Sequence, residues 1–192
     1  MAENLVQTIQ KNLGYPELQK IDPNTQEVIK PQNLSAQDYL AQAAIPVVLL
    51  GLYKYSRTEQ GNSELLKGEL QNKLLKTIFG KKTQTVIDKV AAYTANTNDF
   101  TADKMEVIAW EALSIIRKSL SASPTDNNVK SFLAGQRHNI LVHLPGSLQI
   151  GEALLDDTID DRAHKMEGPV STSMHWLEKF FPSSDRKKEE NW

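Results

Sequence analysis

Apolar residues recur at helical spacing along most of this chain. The clearest stripe is Met105, Ile108, Ala109, Ala112, Ile115, Ile116 and Leu120, with Glu106, Glu111, Arg117 and Lys118 largely off it. That period predicts an amphipathic helix from Thr101 to Leu120 with one packed face. Thr101 is its expected N-cap, and Phe100 and Met105 stand where two apolar residues pack across a cap as a hydrophobic staple. The same signature occurs earlier, with Ser35 as cap and Leu34 and Tyr39 as the staple, and opens a second long helix. This one is apolar nearly all round from Ile45 to Tyr53, which predicts a central element covered on most sides. Pro46 lies inside it, lacks an N–H and clashes with the preceding turn, so a kink or break is expected near residues 42–46.

The two signatures lie 66 positions apart, and residues 3–57 recur in register at 69–123. Gly14 aligns with Gly80, Ile21-Asp22 with Ile87-Asp88, and Ala43 with Ala109. The chain is therefore expected to be all-α and multihelical, with two tandem helical repeats in a 1–123 domain. Shorter helices are expected over 3–13 and 16–21 in the first copy and over 63–79 and 83–94 in the second. Gly14 and Gly80 sit where a left-handed residue closes a helix. Asp22 to Gln26 has the composition of a turn, and Glu27 to Ile29 could add a short hairpin. Beyond Pro124 the repeat stops. A C-terminal helical region, 124–182, is expected to pack on the duplicated domain: a helix over 126–143, a stop at Leu144-Pro145-Gly146, a resumption over 148–155, a charged turn or helix over 156–167 and a short helix near 171–181. Residues 183–192 read as a flexible polar tail.

Composition narrows the functional classes. The 192 residues are 40% apolar and 24% charged with a formal net charge of -2, the balance of an ordinary globular protein. With no cysteine, disulfides, thiolate metal sites and cysteine nucleophiles are excluded. The start Met1-Ala2-Glu3-Asn4-Leu5 lacks a basic segment followed by an apolar run, so a cytoplasmic location is expected. The longest apolar run, Ala43 to Tyr53, is about half the roughly 20 residues that a membrane-crossing helix needs, and no transmembrane segment is expected.

Candidate chemistry is sparse. In a helix over Asp156 to Glu167, the residues Asp160, His164 and Glu167 would share one face, and carboxylates with imidazole at that spacing can hold a divalent metal. Acids near a helix start also complement its dipole, and an Asp161–Lys165 pair would be structural, so capping outweighs the metal reading. His138 and His143 stand about 140° apart on a helix and cannot chelate one ion from one face. Leu144-Pro145-Gly146-Ser147-Leu148 lacks the second glycine and preceding strand of a nucleophile elbow, and Gly80-Lys81-Lys82 lacks the spacing of a phosphate loop. No cofactor is implied. Residues 64–89 carry six lysines against three acids, and 152–167 carry six acids against two bases. Without aromatic interleaving or arginine density the first is not a nucleic-acid patch. The opposed signs suit contact between parts of the protein or between subunits. Trp176, Leu177, Phe180 and Phe181 form a candidate interaction surface for a protein partner or a second copy, or for lipid in an envelope-associated role.

The run Ala44-Ile45-Pro46-Val47-Val48-Leu49-Leu50-Gly51-Leu52 resembles the "P-x-L-L-G-G-L" helix of the bacterial YidB-like family, a domain of unknown function. Leu75-Lys76-Thr77-Ile78-Phe79-Gly80-Lys81-Lys82 is similar to that family's "I-L-G-x-x-F-G" segment. The likeness covers roughly residues 1–123. The stretch Asp156 to Ser171 is similar to a C-terminal extension of uncharacterised Bacteroidetes proteins. Neither resemblance implies an activity or a catalytic residue. Together these features favour a helical scaffold or protein-interaction module without catalysis, expected to self-associate. The alternative is a metal-dependent hydrolase or metal-binding protein using Asp160, His164 and Glu167.

Overall fold

The structure, a computed structural model, describes residues 4–22, 24–29, 36–67, 73–120 and 126–154. They belong to one compact unit, Met1–Asp160. In chain order the helices are α1 (Leu5–Asn12), α2 (Ala36–Tyr55), α3 (Glu59–Lys67), α4 (Leu74–Phe79), α5 (Thr83–Thr94), α6 (Asn98–Ser119), α7 (Asp126–Leu141) and α8 (Ile150–Leu154). Short 3-10 turns occupy Gly80–Lys82 and Gly146–Leu148. Among the described residues there is no strand, and the all-α, multihelical class holds.

α2 is the axis of the core. Leu40, Ala43, Ala44, Ile45, Val47, Val48, Leu49, Leu50 and Leu52 are all sealed from solvent, because α1, α4, α5, α6 and α7 each pack against this one helix. Of the kink or break expected near residues 42–46, the break is absent: α2 runs unbroken through Pro46. Enclosure on every side holds the helix where a free peptide would yield. Gly51 permits one close approach. A Cβ there would stand 2.5 Å from the Phe79 ring, so only glycine lets the end of α4 lie flat on α2.

The expected repeat of 3–57 in 69–123 is not reproduced in the helix bounds, since α2 starts at Ala36 and α6 at Asn98 rather than 66 positions apart; what the two stretches share is looser. α1 and α4 both run toward a glycine with positive φ, Gly14 at 69° and Gly80 at 55°, and the long helices α2 and α6 pack side by side. Between those landmarks they part. Residues 83–94 form α5, as expected, but the helix expected over 16–21 is not formed. Groups from elsewhere have taken its backbone N–H donors. Gln10 Oε1 accepts from Leu18 N, Gln42 Oε1 accepts from Gln19 N at 2.8 Å, and the Val142 carbonyl accepts from Ile21 N at 2.9 Å. A segment this short gains little from its own helical bonds. The expected turn after it is present: Asp22 Oδ1 accepts from Asn24 N and Thr25 N.

Helix ends bring two further corrections. The expected helix over 63–79 is two elements, α3 and α4, and residues 68–72 between them lie outside the described residues. α6 begins one turn before Thr101: Thr97 is the cap, its hydroxyl accepting from Phe100 N. Thr101 is instead buried on the inner face, in line with Met105, Ile108 and Ala112. Ser35 and Leu34 lie outside the described residues, so the first expected cap does too.

Candidate functional site

Where polar side chains converge inside the fold, they hold backbone. Gln42, only 5% exposed, brackets Gln19 by accepting from its N–H and donating to its carbonyl. The same amide donates to the His143 carbonyl at 3.0 Å. Gln136 on α7 accepts from Leu5 N at 3.1 Å and so caps α1 from across the core. Glu106 does the same for α4: its carboxylate accepts from Leu74 N, from Leu75 N at 3.1 Å and from the Trp110 indole N–H at 3.0 Å. Buried backbone groups need such partners, and an unmatched one costs about 1–3 kcal/mol.

A second chain of contacts ties three segments together. The hydroxyls of Tyr39 and Tyr93 lie 2.8 Å apart under rings stacked at 5.7 Å, Tyr93 donates to Glu27, and the other oxygen of Glu27 accepts from Ser147 N. Burial first, then the hydrogen bond with Tyr39, pushes the Tyr93 phenol well above its ordinary range, so it is a neutral donor and not a nucleophile.

His143 is buried, its Nδ1 bonded to the Asn139 carbonyl at 2.7 Å. Desolvation holds its pKa below the usual histidine value against the hydrogen bond to the Asn139 carbonyl, with Lys20 adding to the depression and Glu17 opposing it. It borders a groove of about 540 Å³ that Gln7, Glu17, Gln19 and Lys20 also line.

Part of the outer face of α6 is open to solvent. One groove of about 540 Å³ runs between α4, α5 and the start of α6, floored by Leu75, Ile87 and Ala102 and rimmed by Lys73, Lys76 and Lys81. A second, of about 580 Å³, continues over Val107 and Trp110 to Leu13. The two share Asp103 and Glu106, so they form one path along the helix. Val107 is 50% exposed. Among the described residues Lys73, Lys76 and Lys81 form no ion pair; Lys89 and Glu152 form one at 3.6 Å, and residues 155–167 of the acidic stretch lie outside the described residues.

Asp160, His164, Glu167, Trp176, Leu177, Phe180 and Phe181 lie outside the described residues. Among those described, no group of three or more His, Asp or Glu is placed to hold a metal ion, and no helix is long and apolar enough to cross a membrane. The sequence reading passed over Glu106, Gln42 and Trp110. Glu106 and Trp110 are four apart and carry a recognisable i, i+4 acid–indole pair; Gln42 leaves no signal, since its partners are distant in sequence. No protein-family model, curated protein or solved structure matches this chain.

Proposed function

We propose that this chain is a helical scaffold or protein-interaction module without catalysis of its own, working in the bacterial cytoplasm, with the outer face of α6 as its working surface. One observation carries the reading: polar side chains that converge are bound to the chain's own backbone, while the α6 path combines the half-exposed Val107 and Trp110 with lysines that have no ion-pair partner among the described residues. Apolar anchors inside a charged rim are the usual make-up of a protein-binding patch. Kinship of residues 1–123 with the YidB-like family belongs to the same proposal, as does self-association. A photo-crosslinking amino acid at position 107 tests it in living cells, with Ile29, 83% exposed, as the control. A discrete protein adduct at 107 and none at 29 is expected; no adduct at 107, or the same smear at both, overturns it.

A further inference from the structure

We infer that residues 15–22 form a strap that lets go of the helical core when the His143 ring beside it takes up a proton. Between α1 and the turn at Asp22 the chain forms no helix, and the middle of the strap is held by groups outside itself. Leu18 N donates to Gln10, Gln42 brackets Gln19, and Ile21 N donates to the Val142 carbonyl. Leu18 is its buried anchor. Segments with borrowed hydrogen bonds and few buried side chains are the first to open locally. The strap's grip is shared with the histidine: Gln42 Nε2 donates to the Gln19 carbonyl and to the His143 carbonyl, both at 3.0 Å. Val142, which holds Ile21, precedes His143 in the chain. The ring also borders one groove with Glu17, Leu18, Gln19 and Lys20.

Where it lies, the ring takes a proton only at a cost. His143 is 6% exposed, and its Nδ1 faces the Asn139 carbonyl at 2.7 Å. A carbonyl only accepts, so Nδ1 carries the hydrogen of the neutral ring and Nε2 receives the added proton. Nε2 has no hydrogen-bond partner among the described residues. Protonation therefore makes a buried cation with an unmatched donor, which a folded chain avoids by keeping the group neutral or by exposing it. The surrounding groups do not reverse this. From α1 come Gln7 and Gln10 and from α2 Gln42, all uncharged. From α7 the Asn139 carbonyl favours the cation, but burial outweighs it; the strap's own charges, exposed Lys20 and Glu17, oppose one another, with Lys20 the stronger. α1, α2 and α7 are locked together by the common core. The strap is the wall of the groove that can yield, and its release brings water to the imidazolium and bares Gln42.

The test is hydrogen exchange on the full chain at about pH 7.5 and about pH 5.5, expressed as protection relative to the unstructured rate at each pH. Protection of the Leu18, Gln19 and Ile21 amides should fall several-fold at the lower pH, with about tenfold the ceiling for one histidine that titrates near the ordinary 6.5 when the strap is open. Amides in α5 and on the inner face of α6 should keep theirs. In His143→Gln, which carries no charge at that position, the strap should be protected alike at both pH values. The wild type gives a second reading that needs no variant: the fall should level off at the pH where NMR shows the His143 ring of the folded protein titrating. No fall at residues 18–21, a fall shared by α5, a fall undiminished in His143→Gln, or one that continues after the ring has titrated overturns the inference.

Discussion

Gln42 and Lys76 lie on helices that touch, α2 and α4, yet the regions around them treat polar groups in opposite ways. Around Gln42 each converging amide or carboxylate closes a backbone hydrogen bond, and residues 15–22 stay in place through those clamps. Around Lys76 the rim lysines stand exposed and Val107 is half open to solvent. In the first region the converging polar groups satisfy buried backbone. The second carries polar and apolar groups that the fold itself does not use, which separates a surface for binding from an interior for stability.

The sharpest way to break this contrast is Gln42→Leu. It leaves Gln19 N, Gln19 O and the His143 carbonyl without their partner, and a loss of about 2–4 kcal/mol is expected in denaturant unfolding. Amide exchange should accelerate over residues 15–22 and remain slow in α5. Unchanged exchange at 15–22 would mean that the clamp does not hold that segment. The second largest effect concerns α6. Thr97→Ala removes its cap and should cost about 1 kcal/mol. Thr101→Val, by contrast, replaces a buried hydroxyl that has no partner among the described residues, and should be neutral or stabilising. If Thr101→Val cost more than Thr97→Ala, the helix would start at the later threonine.

A smaller effect, confined to the Gln42 region, is set by pH. His143 has its folded pKa below the ordinary 6.5, mainly by burial. The neutral ring is the form that the fold prefers. Its contribution is therefore fully present above about pH 6.5 and is lost as pH falls through the lower folded value. The groups facing it are the Asn139 carbonyl, which opposes the depression, Lys20, which adds to it, and Glu17, which opposes it. Melting curves between about pH 7 and pH 5 should show a decline in the wild type that His143→Gln lessens; parallel declines would assign the acid sensitivity elsewhere.

Much of the architecture is legible in the chain because it rests on local pattern. Val86, Ile87, Val90 and Ala91 place α5 within its observed bounds, and the apolar run from Ile45 marks the central helix that every neighbour covers. Failures arise where distant side chains compete with local rules. Residues 16–21 look helical, yet Gln10, Gln42 and the Val142 carbonyl take their N–H groups, and those partners cannot be read from the segment. Pro46 predicts a break that enclosure of α2 overrides. Thr101 resembles a cap because an apolar residue precedes it, but its place in the inner stripe with Met105 and Ile108 draws it inside, and Thr97 takes the role. The candidate site was legible only as an excess of lysine. Its apolar half, Val107 and Trp110, belongs to the outer face of a helix whose inner face carries the obvious stripe.

The most direct single measurement is photo-crosslinking in living cells from position 107, with the exposed Ile29 as the control position. The account predicts one discrete protein adduct from 107 and none from 29. No adduct from 107, or the same smear from both, would contradict it.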